Sequence, residues 1–189
     1  MTVGEWALGL LARVIAPAWR AARLRFRQPH LSIFFDANKT YDVAGPPECR
    51  RYYCHFHVRN TGKDTAKACR SRLMSVSSIE GEGERPVPTF RAPRTLKWAT
   101  VRGFARQDIE PGLRVHRSDL CYGERGSPLL VFYVDPEERG IGVQTSFPRG
   151  YYRVRVRVES ENADPADATF DVRFSGVWNE IIISDASVG

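Results

Sequence analysis

The sequence predicts an all-β chain, a sandwich of short strands behind a helical N-terminal segment, and three stretches carry that expectation. In Gly150-Tyr-Tyr-Arg-Val-Arg-Val-Arg-Val158, Val154, Val156 and Val158 fall on one side and Arg153, Arg155 and Arg157 on the other. A period of two marks a strand with one buried face and one wet face. Val58-Arg59-Asn60-Thr61-Gly62 and Ile109-Glu110-Pro111-Gly112 are turn signals that cut the chain before and after its middle.

Read in order, Leu31-Ser-Ile-Phe-Phe35 opens the strand series, and Cys54-His-Phe-His-Val58 alternates behind it. Cys54, Phe56 and Val58 face inward there, while His55, His57 and Arg59 face outward as surface residues. After the turn at 60–64, Cys69, Ser71 and Leu73 share one face of a returning strand. The stretch 81–86, Gly-Glu-Gly-Glu-Arg-Pro, and the extreme C-terminus read as loose. Leu96 and Trp98 alternate over 96–101, Pro111-Gly112 turns the chain into a strand over 113–120, and 129–134 is a continuous apolar run fit for a central strand. Pro148-Arg149-Gly150 leads into the Arg/Val strand, and Phe170, Val172 and Phe174 share the inner side of the last one. About eight or nine strands with Pro/Gly punctuation fit an immunoglobulin-like antiparallel β-sandwich better than a closed barrel.

Residues 1–28 read differently. Leu8, Leu11, Ile15, Trp19, Ala22 and Phe26 recur at helical spacing over 6–27, and Arg13, Arg20 and Arg27 lie roughly opposite, with a kink expected at Pro17. An export signal is not expected, because Glu5 precedes the apolar run, Arg13 interrupts it and Arg20, Arg23, Arg25 and Arg27 follow it. The run is also too short and too charged to span a bilayer. A basic amphipathic helix on a membrane surface or against a partner is expected, with Trp6, Trp19 and Phe26 as apolar anchors and Arg20, Arg23 and Arg27 as the cationic side. Self-association, or packing on the sandwich itself, remains an alternative. The boundaries are therefore 1–28 for the helical segment and 29–189 for the sandwich.

Of 28 basic residues only four are Lys, and the formal charge is +6. An Arg excess suits phosphates and carboxylates, but a GC-rich genome produces one as well. Where the arginines sit is therefore more informative than their number. Arg153, Arg155 and Arg157 form a candidate binding ladder. Arg91, Arg94, Lys97, Arg102, Arg106, Arg114 and Arg117, interleaved with Phe90, Trp98 and Phe104, make a nucleic-acid partner the alternative, although Trp98 fits a core position.

In order, Val58-x-Asn60-x-Gly62, Ala66, Leu73, Ile109-Glu-Pro111-Gly112 and Pro148-x-Gly150-Tyr-x-Arg153-Val resemble the bacterial cell-adhesion-related (CARDB-type) immunoglobulin-like domains. The likeness runs over roughly 50–175. It implies that fold and a role in contacts, and it transfers no catalytic residue. A single copy with a basic N-terminal segment departs from the tandem, extracellular pattern of that family.

Catalytic and metal chemistry find little footing. Cys49, Cys54, His55 and His57 lack an evident fourth zinc ligand, and Cys54 faces away from the histidines. Cys69 and Cys121 sit in no nucleophile motif that would join them to His30 or His116. Asp135, Glu137 and Glu138 read as a solvated loop, and Gly140-Ile-Gly142 is too short for a phosphate cradle. The expectation is a non-enzymatic interaction module without cofactor or metal, cytoplasmic and peripheral at the inner face of the membrane. A protein partner is expected, with membrane contact, nucleic acid or a homo-oligomer as further partners. The alternatives are a nucleic-acid-binding accessory subunit and a small assembly subunit that associates through its helix.

Overall fold

A computed structural model describes residues 28–38, 41–81, 83–88, 90, 93–138 and 145–186. The helical segment expected over 1–28, with Trp6, Trp19, Arg20, Arg23, Phe26 and Arg27, lies outside these residues except for Gln28.

The chain is all-β. Its strands are β1 (Leu31–Phe34), β2 (Tyr41–Ala44), β3 (Arg51–Asn60), β4 (Ala66–Glu80), β5 (Gly83–Pro86), β6 (Arg94–Thr95), β7 (Lys97–Trp98), β8 (Gln107–Ile109), β9 (His116–Glu124), β10 (Leu130–Phe132), β11 (Ser146–Phe147), β12 (Gly150–Glu159), β13 (Ala166–Phe174) and β14 (Ile181–Asp185). They form two antiparallel sheets. The first runs β1-β3-β9-β10-β11, with β2 also on β3 and β7 also on β9; the second runs β14-β13-β12-β4-β5, with β6 and β8 also on β4. The strands outnumber the eight or nine expected because β3, β4 and β9 are long and each is flanked along one edge by several short pieces. Gly83–Pro86, expected to be loose, is one of those pieces: it pairs with Ser77–Glu80 as the returning arm of a tight turn. The apolar run 129–134 yields only the three-residue β10, held between β9 and β11.

The buried faces of the sheets meet in one core. Phe56 of the first sheet packs on Phe170 of the second at 5.8 Å, and Val154, Val156, Val158, Val172 and Leu73 are sealed around them. Residues 94–98 pass from one sheet to the other: Thr95 pairs with Arg72 of β4, and Trp98 pairs with Ser118 of β9. Trp98 is 1% exposed and donates its indole N–H to the Cys69 carbonyl at 3.3 Å, so the core position expected for it is correct. Ser118 Oγ donates to Ser71 Oγ at 2.8 Å, a second polar stitch between the sheets.

Extra residues shift the strand phase in three places. Leu120 is inserted in β9, so that Cys54 faces Cys121 but His55 faces Asp119. Met74 is inserted in β4 opposite the Arg155–Val156 step. The third insertion, near Ala66–Cys69, holds Ala68 at φ 49°. Each insertion bends the strand and turns the following side chains to the other face.

Candidate binding faces

Asn60 explains two of the sequence motifs at once. It is fully buried at the end of β3, and its side-chain oxygen accepts from the backbone N–H of His30 and of Gly62, both at 3.0 Å. Its NH2 donates to the carbonyls of Asp64 (2.8 Å) and Ile109 (3.0 Å), and its own carbonyl accepts from Gly112 N–H at 3.1 Å. The Asn-x-Gly turn, the Pro111-Gly112 turn and the entry to β1 are therefore tied to one amide. A Cβ at Gly62 would lie 2.4 Å from the Gln28 carbonyl oxygen, so only glycine admits the chain there. These motif residues hold the fold together.

The outward face of the second sheet carries the arginine ladder, together with its counter-charges. Arg153 grips Asp171 with two hydrogen bonds, Nε to Oδ1 at 2.9 Å and an Nη to Oδ2 at 3.1 Å, and also reaches Glu84 at 3.3 Å. Arg157 grips Asp167 in the same two-pronged way at 2.9 Å, and Arg155 lies 3.9 Å from that carboxylate. Tyr151 donates its hydroxyl to Asp171 at 2.7 Å, and Arg72 pairs with Glu159. Burial works to raise the pKa of Asp171, but the Arg153 and Tyr151 hydrogen bonds outweigh it and hold the carboxyl below its usual value. The Arg157 hydrogen bonds do the same for Asp167. All three predicted arginines share one face, and each has a carboxylate within 4 Å.

The outward face of the first sheet was underestimated from sequence. His55 and His57 do point away from the core, yet they are 3% exposed and not surface residues. Nδ1 of His55 lies 2.7 Å from Oδ1 of Asp119, which is 4% exposed. His57 stacks on Phe34 at 5.5 Å. Alongside, Tyr53, Tyr122 and Tyr133 form a triangle with ring centroids 5.4–5.9 Å apart, and Phe104 packs edge-on against Tyr133. Arg51 lies over Tyr122, Lys97 over Tyr133 and Arg59 over Phe34, the geometry of cation–π contacts. Lys97, Phe104 and Arg117 are thus brought to this face, whereas Phe90 and Trp98 go to the core. The inserted Leu120 is the reason sequence could not pair His55 with Asp119.

A third feature is an open groove of about 870 Å³ at one end of the sandwich, lined among others by Tyr41, Tyr52, Tyr151, Arg149, Arg173 and Ile182. Tyr41 stacks on Tyr52 at 5.1 Å, and its hydroxyl accepts from the N–H of Ile183 on the edge strand β14. Burial pushes the Tyr52 phenol up to about 12, so both hydroxyls are neutral donors and acceptors here.

Some of the residues singled out for chemistry have structural surroundings instead. Glu138, expected in a solvated loop, accepts from Thr95 N–H and Oγ1 at 2.6 and 2.8 Å. Cys54 and Cys121 face each other in the core as free thiols, and burial pushes Cys54 well above the usual thiol value, a reluctant nucleophile. Among the described residues, no three His, Cys, Asp or Glu side chains converge as a metal site, and no helix is long and apolar enough to cross a membrane. No family model matches the chain, and comparison with curated proteins gives no match.

Proposed function

We propose that this chain is a non-enzymatic binding module, an immunoglobulin-like sandwich of the CARDB-like kind, held at an anionic membrane surface through its N-terminal amphipathic segment. The strand order carries the fold part of this reading. With β1/β2 as A, β3 as B, β9 as E and the short β7 as D, and with β13, β12, β4 and β5 as G, F, C and C′, the pairings follow the A-B-E-D and G-F-C-C′ orders of immunoglobulin-type sandwiches, while β10 and β14 extend the two sheets. Tyr152 at the start of β12 donates its hydroxyl to the Pro148 carbonyl at 2.8 Å, in the manner of the tyrosine corner of such folds. The self-neutralised ladder favours placing the docking function on the segment, where Trp6, Trp19 and Phe26 would insert and Arg20, Arg23 and Arg27 would meet lipid phosphates.

The test is co-sedimentation of the full-length protein with phosphatidylglycerol vesicles. The native protein is expected to sediment with them, and a Trp6→Ala/Trp19→Ala/Phe26→Ala variant to stay in the supernatant. Native protein that ignores vesicles at low salt would sink the membrane reading and leave a protein partner as the docking target. The convergence of Lys97, Phe104 and Arg117 with three tyrosines favours a second reading, a single-stranded nucleic acid stacked on that face. Steeply salt-dependent binding to an oligonucleotide would support it.

A further inference from the structure

Cys54 and Cys121 are buried nucleophiles for which the binding-module reading has no use. They lie in a row with Tyr41 across the first sheet: Tyr41 of β2 is opposite Cys54 of β3, and Cys54 is opposite Cys121 of β9. Directly opposed residues of an antiparallel pair share a face, so the three side chains point the same way. Both cysteines are fully buried and carry free thiols. Burial, and next the Cys121 thiol beside it, keep the Cys54 thiol protonated. Tyr41 is only half-buried, and it lines the open groove together with Tyr52 and Ile182. Burial raises its phenol most, and the Cys54 and Cys121 thiols, close enough to act on it, add to the rise. Along this row the Tyr41 ring therefore stands between the groove and Cys54, held by the Ile183 N–H at 3.2 Å.

We propose that Cys54 and Cys121 are a redox modification site, at which a small hydroperoxide entering the groove past Tyr41 drives formation of a cross-strand disulfide. The inference is independent of membrane docking. Opposed residues of an antiparallel pair have Cα atoms about 4.5–5.5 Å apart, inside the span of about 4.4–6.8 Å that a disulfide bridges. The bond can thus close without separating β3 from β9. Cys54 is the entry thiol, because Tyr41 is its register partner on the groove side. Its sulfur attacks one peroxide oxygen, the O–O bond breaks, and the other oxygen leaves as water with the Cys54 proton. The Cys121 sulfur then attacks the sulfur of the Cys54 sulfenic acid, the S–O bond breaks, and the hydroxyl leaves as water with the Cys121 proton. Two thiols are oxidised by two electrons and one hydrogen peroxide is reduced to two waters. A protonated, buried thiol makes the first step slow, which suits sustained oxidation and not rapid sensing. The other two cysteines have no thiol opposite them: Cys49 is exposed in a single helical turn, and Cys69 lies beneath Trp98 with Gln107 as its register partner.

Hydrogen peroxide treatment of the folded full-length chain tests this, with the remaining thiols alkylated in denaturant and the peptides mapped by mass spectrometry. A Cys49→Ser background removes the exposed thiol. The expected product is a peptide linked through Cys54 and Cys121, in a protein lighter by two hydrogens. Its urea midpoint should rise by about 1 M, and dithiothreitol should reverse both changes. Cys69, equally buried but away from the groove, should stay a free thiol, which separates entry beside Tyr41 from global opening. Tyr41→Ala should speed the bond about tenfold by making local opening easier. In a Cys121→Ser protein the sulfenic acid at Cys54 should persist and be captured by dimedone. The proposal is overturned if Cys54 and Cys121 both remain alkylatable in peroxide-treated protein, or if Cys69 is lost as fast as the pair. An unchanged rate in folded Tyr41→Ala protein would overturn the groove as the route. The mapping of the Cys49→Ser protein decides the disulfide itself even where a core variant fails to fold.

Discussion

Asn60 has two N–H donors and one oxygen with two lone pairs, and all four positions are filled by backbone groups of four different residues. No other side chain of that size offers two donors and two acceptors in one plane. Asn60→Ala is therefore expected to cost about 3 kcal/mol, because it removes these bonds and strands buried backbone groups without partners. Urea unfolding reads the loss directly, and a shift below about 1 kcal/mol would mean that water or local relaxation takes over the amide's role. The carboxylates under the ladder give a pH signature. Asp167 and Asp171 sit below their usual 3.8 in the folded state. The unfolded chain then binds more protons around that value, so their contribution is complete above it and is lost as pH falls through the folded values. Urea midpoints should decline on acidification below about pH 4. Asp171→Asn should lower the neutral-pH midpoint and flatten that decline; an unchanged acid slope would remove Asp171 from the account.

At the level of elements, the three insertions do most to separate the observed face assignments from a simple alternation. The one at Ala66–Cys69 is strained: Ala68 has a left-handed φ of 49°, and Asp108 braces it by accepting from Ala68 N–H at 2.9 Å and from the Lys67 ammonium at 2.7 Å. Left-handed backbone costs an alanine about 1 kcal/mol, and glycine's extra freedom in the unfolded chain returns part of that. Ala68→Gly should thus stabilise by about 0.5 kcal/mol, seen as a small rise in the urea midpoint; a clear loss would show that Asp108 holds the alanine without strain. The same insertions mark where the sequence stops being readable. Alternation correctly placed Val154, Val156, Val158, Phe170, Val172 and Phe174 inside, because those runs are long and their register is unbroken. It also placed His55 and His57 outward, but facing is not exposure, and no local pattern says that long neighbours such as Arg117 and Phe34 fold over them. Asp119 could not be found as the partner of His55, since Leu120 shifts the register without any Gly or Pro to announce it. The counter-charges of the ladder were equally hidden: Asp167 and Asp171 are near in sequence, but Glu84 lies across a strand whose turn reads as loose.

For the whole molecule, the question is where its positive charge is free to act. The formal +6 is spread over 28 cationic and 22 acidic side chains. On the second sheet the ladder is largely committed to Asp167, Asp171 and Glu84, whereas Arg20, Arg23 and Arg27 stand in a segment whose only acidic residue is Glu5. Each Arg held close to an anionic surface contributes about 1 kcal/mol, so losing three would weaken vesicle binding by roughly 100-fold. A triple Arg20→Gln/Arg23→Gln/Arg27→Gln variant should therefore lose most of its affinity for phosphatidylglycerol vesicles together with most of its salt dependence. Arg155→Gln, which touches the most exposed rung of the ladder, should change binding less than about twofold. If instead Arg155→Gln weakened binding as much as the triple change, the ladder would be the membrane or partner face despite its carboxylates.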